Sequence, residues 1–130
     1  MALILIIDDS SYQRRLVRKF VETQGHEVIE ATNGHEGMEM MRAHTPDCVL
    51  LDLIMPETNG FELLATLQKQ KSTTPAIVIT ADVQTSTYKQ CLELGAAAVV
   101  NKPVEYQLLS NTINRVLGSP TSDPKGLKDL

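Results

Sequence analysis

Asp8-Asp9, Asp52, Thr80 and Lys102 are the residues of this chain whose types combine into a chemistry. Carboxylates packed closely and left unneutralised repel one another. A hard cation removes that conflict. Mg²⁺ takes a few carboxylate oxygens, keeps several waters and reaches for phosphate oxygens, with ligands at about 2.0–2.1 Å. A carboxylate beside such an ion can attack phosphorus and form an acyl phosphate. A lysine adds a mobile point charge for a phosphate oxygen, and a threonine adds a short hydroxyl donor. Taken singly, each residue has a plainer reading. An aspartate at a strand end usually caps a helix or a turn, threonine is common in strands, and a lysine before a proline is normally solvated. The weight lies in where they fall together.

The elements that must position them are legible as alternating short apolar runs and amphipathic stretches. Strands are expected at Leu3–Ile7, Val28-Ile29, Cys48–Leu51, Pro75–Ile79 and Ala98–Val100. Helices are expected at Ser10–Thr23, Gly34–Ala43, Phe61–Gln70, Gln84–Leu94 and Glu105–Leu117. Ser10 and Gln13 have the spacing of a capping box. Gly25 and Gly95 stop two of the helices, and Pro46 ends the region of a third. Apolar stripes are Leu16, Val17, Phe20 and Val21 in the first helix, and Leu63, Leu64 and Leu67 in the third. Met38 and Met41 are expected as core contacts, and Tyr88, Cys91 and Leu92 are expected on one side of the fourth helix. The last helix has Leu109, Thr112, Ile113 and Val116 at helical spacing.

Five strand–helix units in a row imply an α/β fold, with a doubly wound five-stranded parallel sheet and helices on both faces. In such sheets ligands bind beyond the carboxyl ends of the strands, where the strand order reverses. The run Leu3–Ile7 ends in Asp8-Asp9, Cys48–Leu51 in Asp52, Pro75–Ile79 in Thr80, and Ala98–Val100 in Asn101-Lys102. With the order 2-1-3-4-5 these four strands surround the reversal, and the second, whose end Ala31-Thr32 is uncharged, lies at the edge.

The whole chain is consistent with one domain over residues 1–118 and a tail or linker stub over 119–130. A net charge of −4 with no long basic run argues against a nucleic-acid surface. No apolar stretch is long enough to span a membrane, and the start lacks a signal-peptide pattern. Cys48 and Cys91 lack metal or redox spacing and read as reduced thiols, so a cytoplasmic location is the default expectation. His26, His35 and His44 read as surface or structural residues.

At these motifs the sequence resembles the receiver domain of two-component response regulators. The resemblance rests on Asp8-Asp9, on Leu51-Asp52-Leu53-Ile54-Met55-Pro56 with Asn59-Gly60, on Ile79-Thr80-Ala81 and on Lys102-Pro103, and spans about Leu3 to Leu117. It implies a flavodoxin-like fold with Asp52 as phosphoacceptor. Asp8 and Asp9 would hold Mg²⁺ together with Asp52 and the main-chain carbonyl of Ile54. Lys102 and Thr80 would contact the phosphoryl group, as would the Ala81 amide. It also implies a histidine kinase or histidine phosphotransfer protein as phosphodonor. A downstream effector or output domain would read a surface on the last strand and the fourth and fifth helices, and a phosphorylation-linked homodimer would use the same face. The domain would be a signalling domain and not an enzyme in the ordinary sense, with self-catalysed transfer and slow autodephosphorylation.

One position departs from the family pattern. Many receivers carry Tyr or Phe three residues before the lysine, and here that residue is Val99. Signalling is therefore expected to run through the loop and helix around Ala81–Tyr88. Ile54 and Asp82 stand two residues after Asp52 and Thr80, where the family flanks the path of the hydrolytic water.

Three rival functions compete with this one. A phosphohydrolase with an aspartate nucleophile usually needs a second acid where Ile54 stands. A nucleotide or flavin module is disfavoured by a first turn, Asp8-Asp9-Ser10-Ser11, with two negative charges and no glycine. A receiver that docks without phosphorylation would not need the intact acidic set.

Overall fold

The computed structural model describes residues 1–118, and the proposed tail lies outside the described residues. The elements run β1 (Leu3–Ile7), α1 (Ser11–Thr23), β2 (Glu27–Ala31), α2 (Gly34–His44), β3 (Cys48–Asp52), α3 (Gly60–Lys69), β4 (Ala76–Thr80), α4 (Thr85–Glu93), β5 (Ala98–Asn101) and α5 (Tyr106–Val116). The strands form one parallel sheet in the order β2-β1-β3-β4-β5. The flavodoxin-like order 2-1-3-4-5 that the resemblance implies is the one observed.

The continuous apolar runs are explained by burial on both faces. Every residue of β3 and β4 is buried. Alternate residues of β1 serve opposite layers. Ile4 and Ile6 pack with Val17 and Val21 of α1 and with Leu109 and Ile113 of α5. Leu5 and Ile7 pack with Leu63 and Leu64 of α3 and with Cys91 of α4. Ile4, Leu5 and Ile7 have no exposed surface, and each such side chain contributes about 1.5–3 kcal/mol by leaving water. Phe20 and Tyr106 meet edge to face, with centroids 5.4 Å apart, and couple α1 to α5.

Two local expectations need correction, and a third needs completing. β2 covers Glu27–Ala31, longer than the Val28-Ile29 core of the pattern, because its charged residues tolerate an edge position. On α4 only Cys91 is buried, while Tyr88 and Leu92 are 50% and 40% exposed. Helical spacing puts residues on one side of a helix but does not say that anything covers that side. The capping box forms by half. Ser10 Oγ accepts from the Gln13 amide at 3.2 Å, but the Ser10 amide donates to Asp8 Oδ1 at 2.9 Å. A carboxylate of the pocket has taken the place of the glutamine.

The remaining punctuation is as expected. Gly25 and Gly95 follow α1 and α4 in the left-handed region, at φ +91° and +95°. α2 ends on Thr45, also left-handed, just before Pro46. Asn33 and Asn59 cap α2 and α3 by accepting from the amides of Glu36 and Phe61.

Candidate functional site

Ile7 and Leu51 are register partners, so the next residues along, Asp8 and Asp52, emerge side by side from two buried strands. Asp8 is 5% exposed and Asp52 is 8% exposed. Asp9 comes next, on the exposed turn into α1. One carboxylate oxygen from each of Asp8, Asp9 and Asp52 lies within 4.8 Å of the others. Lys102 reaches across from the end of β5, with Nζ 3.3 Å from Asp52 Oδ1 and 3.8 Å from Asp8 Oδ2. The Lys102-Pro103 peptide is cis.

The electrostatics of the pocket are unbalanced. Three formal negative charges face one ammonium group. Burial pushes the Asp8 carboxyl up from its ordinary value, with Asp52 and Asp9 adding to the rise, while the Ser10 amide and Lys102 oppose it. Burial likewise raises Asp52, against the pull of Lys102 and the Ile54 amide. A cluster of oxygen donors with surplus negative charge and an open side fits a hard divalent cation. Asp8, Asp9 and Asp52 are the groups that could hold Mg²⁺, and the ion would supply positive charge for phosphoryl oxygens.

The hydroxyl side of the pocket belongs to the β4–α4 loop. Thr80 is 1% exposed, and its Oγ1 accepts from the Asp82 amide at 3.1 Å. Asp82 Oδ1 accepts from the Gln84 amide at 2.8 Å and Oδ2 from Thr87 Oγ1 at 2.7 Å. These bonds, Thr87 first, hold the Asp82 carboxyl below its ordinary value. Asn101 Nδ2 donates to the carbonyls of Thr80 and Asp82 at 3.3 and 3.1 Å. Ala81 is exposed at the rim of the loop, and Val99 is partly buried beside it.

The β3–α3 loop closes the third side. Ile54 is 77% exposed, and its backbone pairs with Asn59. Thr58 anchors the loop to α2, where its Oγ1 accepts from the Gly34 amide at 3.1 Å. A Cβ at residue 34 would stand 2.2 Å from Thr58 Cγ2, so only glycine admits this contact unchanged.

The acidic and lysine residues named from the sequence therefore converge, and Thr80 stands at the end of the adjoining strand, beside β3 and β5. Two residues behind the pocket, one touching it and one touching the first, were not named. Arg14 Nη1 donates to the main-chain carbonyl of Asp8 at 2.7 Å, and its Nε to Glu30 Oε1 at 2.8 Å. Edge strand β2, judged uninvolved from its uncharged end, thus reaches the pocket's rear through its penultimate residue. The signal available was a pair of charges 16 positions apart, with no spacing rule to join them.

An acidic pocket at the reversal point of a doubly wound parallel sheet defines a flavodoxin-like domain with a cluster of carboxylate oxygens that could hold a cation. The sequence model of the response regulator receiver domain matches residues 4–114, and the chain belongs to that family. Members are signalling domains of two-component systems, with a phosphoacceptor role and an Mg²⁺-binding acidic pocket general to the family. The chain is 38% identical over 119 residues to protein PilH of Pseudomonas aeruginosa, covering 90% of this chain and 98% of that one. It is 29% identical to the chemotaxis protein CheY4 of Vibrio cholerae, with a TM-score of 0.82, covering 89% of this chain and 98% of that one. The Francisella response regulator 1452 receiver domain shares the fold with a TM-score of 0.86 at 24% identity, covering 91% of this chain and 98% of that one. No helix among the described residues is long and apolar enough to cross a membrane.

Proposed function

We propose that Asp52 accepts a phosphoryl group from a histidine kinase or a histidine phosphotransfer protein, with Mg²⁺ held by Asp8, Asp9, Asp52 and the Ile54 carbonyl. The observation that carries the reading is the Lys102 ammonium 3.3 Å from an Asp52 carboxylate that shares its pocket with Asp8 and Asp9. An Asp52 oxygen attacks phosphorus as the bond from phosphorus to the donor nitrogen breaks, and the electron pair leaves with the imidazole. Lys102 offsets charge on the phosphoryl oxygens, and the Ala81 amide and Thr80 hydroxyl donate to them.

The readout starts at the hydroxyl. To turn toward a phosphoryl oxygen, Thr80 must give up the Asp82 amide. Asp82 also holds the first turn of α4 through Gln84 and Thr87. Release at Thr80 is thus transmitted to α4 with no aromatic side chain at residue 99. The loop and helix that move carry exposed apolar residues, Val83 at 76% and Tyr88 at 50%, for an effector, an output domain or a second copy to read. The domain covers residues 1–118, with residues 119–130 as a tail or linker.

The test is intact mass after acetyl phosphate treatment, with and without Mg²⁺. A phosphoryl adduct that needs Mg²⁺ and is lost in Asp52→Asn is expected. An adduct retained by Asp52→Asn would overturn the assignment.

A further inference from the structure

A second charged cluster stands behind the acidic pocket, toward edge strand β2, and the phosphoryl chemistry above makes no use of it. The Arg14 side chain is only 15% exposed, and its guanidinium is gripped from two sides. Its Nε meets Glu30 and its Nη1 meets the Asp8 carbonyl. Glu30 turns its other oxygen to Arg18, which also reaches Glu22 at 3.0 Å. The planar fork of arginine suits this double duty, one edge on a carboxylate and one on a carbonyl.

The three pocket carboxylates are not equally held. Asp8 accepts from the Ser10 amide and faces Lys102, and Asp52 faces Lys102. Asp9 is exposed, and among the described residues its carboxylate has no hydrogen bond or ion pair. Its place beside the other two is therefore set by its own backbone. The peptide plane that leads into Asp9 contains the Asp8 carbonyl, and that carbonyl is what Arg14 holds. We propose that Arg14 is a positioning residue for the divalent cation: by fixing the Asp8–Asp9 peptide it presets the Asp9 carboxylate for the ion. Glu30 orients the guanidinium and offsets its charge, so that Arg14 aligns the pocket without repelling a cation. This inference rests on the Mg²⁺ site proposed above.

Outer-sphere partners of a metal site typically change its affinity by tenfold or more. Mg²⁺ titration calorimetry on wild type, Arg14→Gln, Arg14→Lys and the exposed-neighbour control Arg15→Gln tests the proposal. Each protein's thermal midpoint in chelator is recorded alongside. Arg14→Gln should bind Mg²⁺ about tenfold more weakly, with Arg14→Lys in between and Arg15→Gln unchanged. Saturating Mg²⁺ should restore labelling of Arg14→Gln by acetyl phosphate. A lowered thermal midpoint with a Mg²⁺ affinity within about twofold of wild type would assign Arg14 a purely structural role and overturn the proposal. Should Arg14→Gln fail to fold, Arg14→Lys decides by the same comparison. A wild type that takes up no Mg²⁺ would overturn the site itself, whereas a wild type that binds it beside an unchanged Arg14→Gln overturns this inference alone.

Discussion

Asp52 and Glu30 flank β1, one on the strand to each side, and their carboxylates are balanced in opposite ways. Asp52 shares one ammonium group with two further acids, and burial drives its pKa up. Burial also pushes Glu30 up, but hydrogen bonds from Arg18 and Arg14 outweigh it, and its pKa falls. One cluster is left short of positive charge and the other is nearly neutral within itself. The difference separates a region whose surplus negative charge suits a cation from one whose charges hold a shape. Perturbed carboxylates kept at a stability cost are the mark of functional pockets.

The comparison can be broken most forcefully by adding the missing charge. Mg²⁺ should stabilise the wild type against denaturant, by about 2.7 kcal/mol at a hundredfold excess over its dissociation constant. Asp8→Asn should lose most of that gain. Removing the acid from the balanced cluster should act the other way. Glu30→Gln leaves two guanidinium groups sharing a neutral partner and should cost about 1 kcal/mol in chemical denaturation.

That loss has a pH signature with a definite sign. The Glu30 carboxyl titrates below its ordinary 4.5 in the fold. Its contribution is full above that value and is lost as pH falls through the lower folded value. The gap between wild type and Glu30→Gln should close in acid. Asp8 and Asp52 titrate above their ordinary 3.8. Without divalent ion, they favour the fold when protonated, and that advantage is lost as pH rises through their raised values. Asp52→Asn should therefore raise the thermal midpoint by a few degrees at neutral pH in chelator, and a fall would contradict the assignment of surplus charge to this pocket. The smallest effect is expected from Arg18→Met. Its side chain is 39% exposed, and the change should stay within about 0.5 kcal/mol.

The two clusters also differ in how far the sequence disclosed them. Asp8, Asp9, Asp52 and Lys102 were legible because each closes an apolar run, and a parallel sheet brings such ends together. Thr80 was legible for the same reason. Arg14 and Glu30 were hidden because neither ends a strand. An arginine on an amphipathic helix looks like any solvated charge, and Glu30 lay inside a strand whose charges made its extent hard to see. The half-formed capping box was hidden similarly, since Ser10 and Gln13 gave the spacing but not the competitor, Asp8, two residues upstream. Tyr88 and Leu92 shared a helical side as expected, but periodicity carries no information about whether a neighbour covers it.

The bare α-carbon of Gly34 has a consequence at some distance. Thr58 rests its methyl where a side chain at residue 34 would stand, and its hydroxyl takes the Gly34 amide, so the threonine cannot swing aside without forfeiting that bond. Even alanine at this position would prise the loop bearing Ile54 away from α2. The chain's ability to vary at residue 34 is thus tied to the seating of another loop, whose Thr58 lies 24 positions further along the chain.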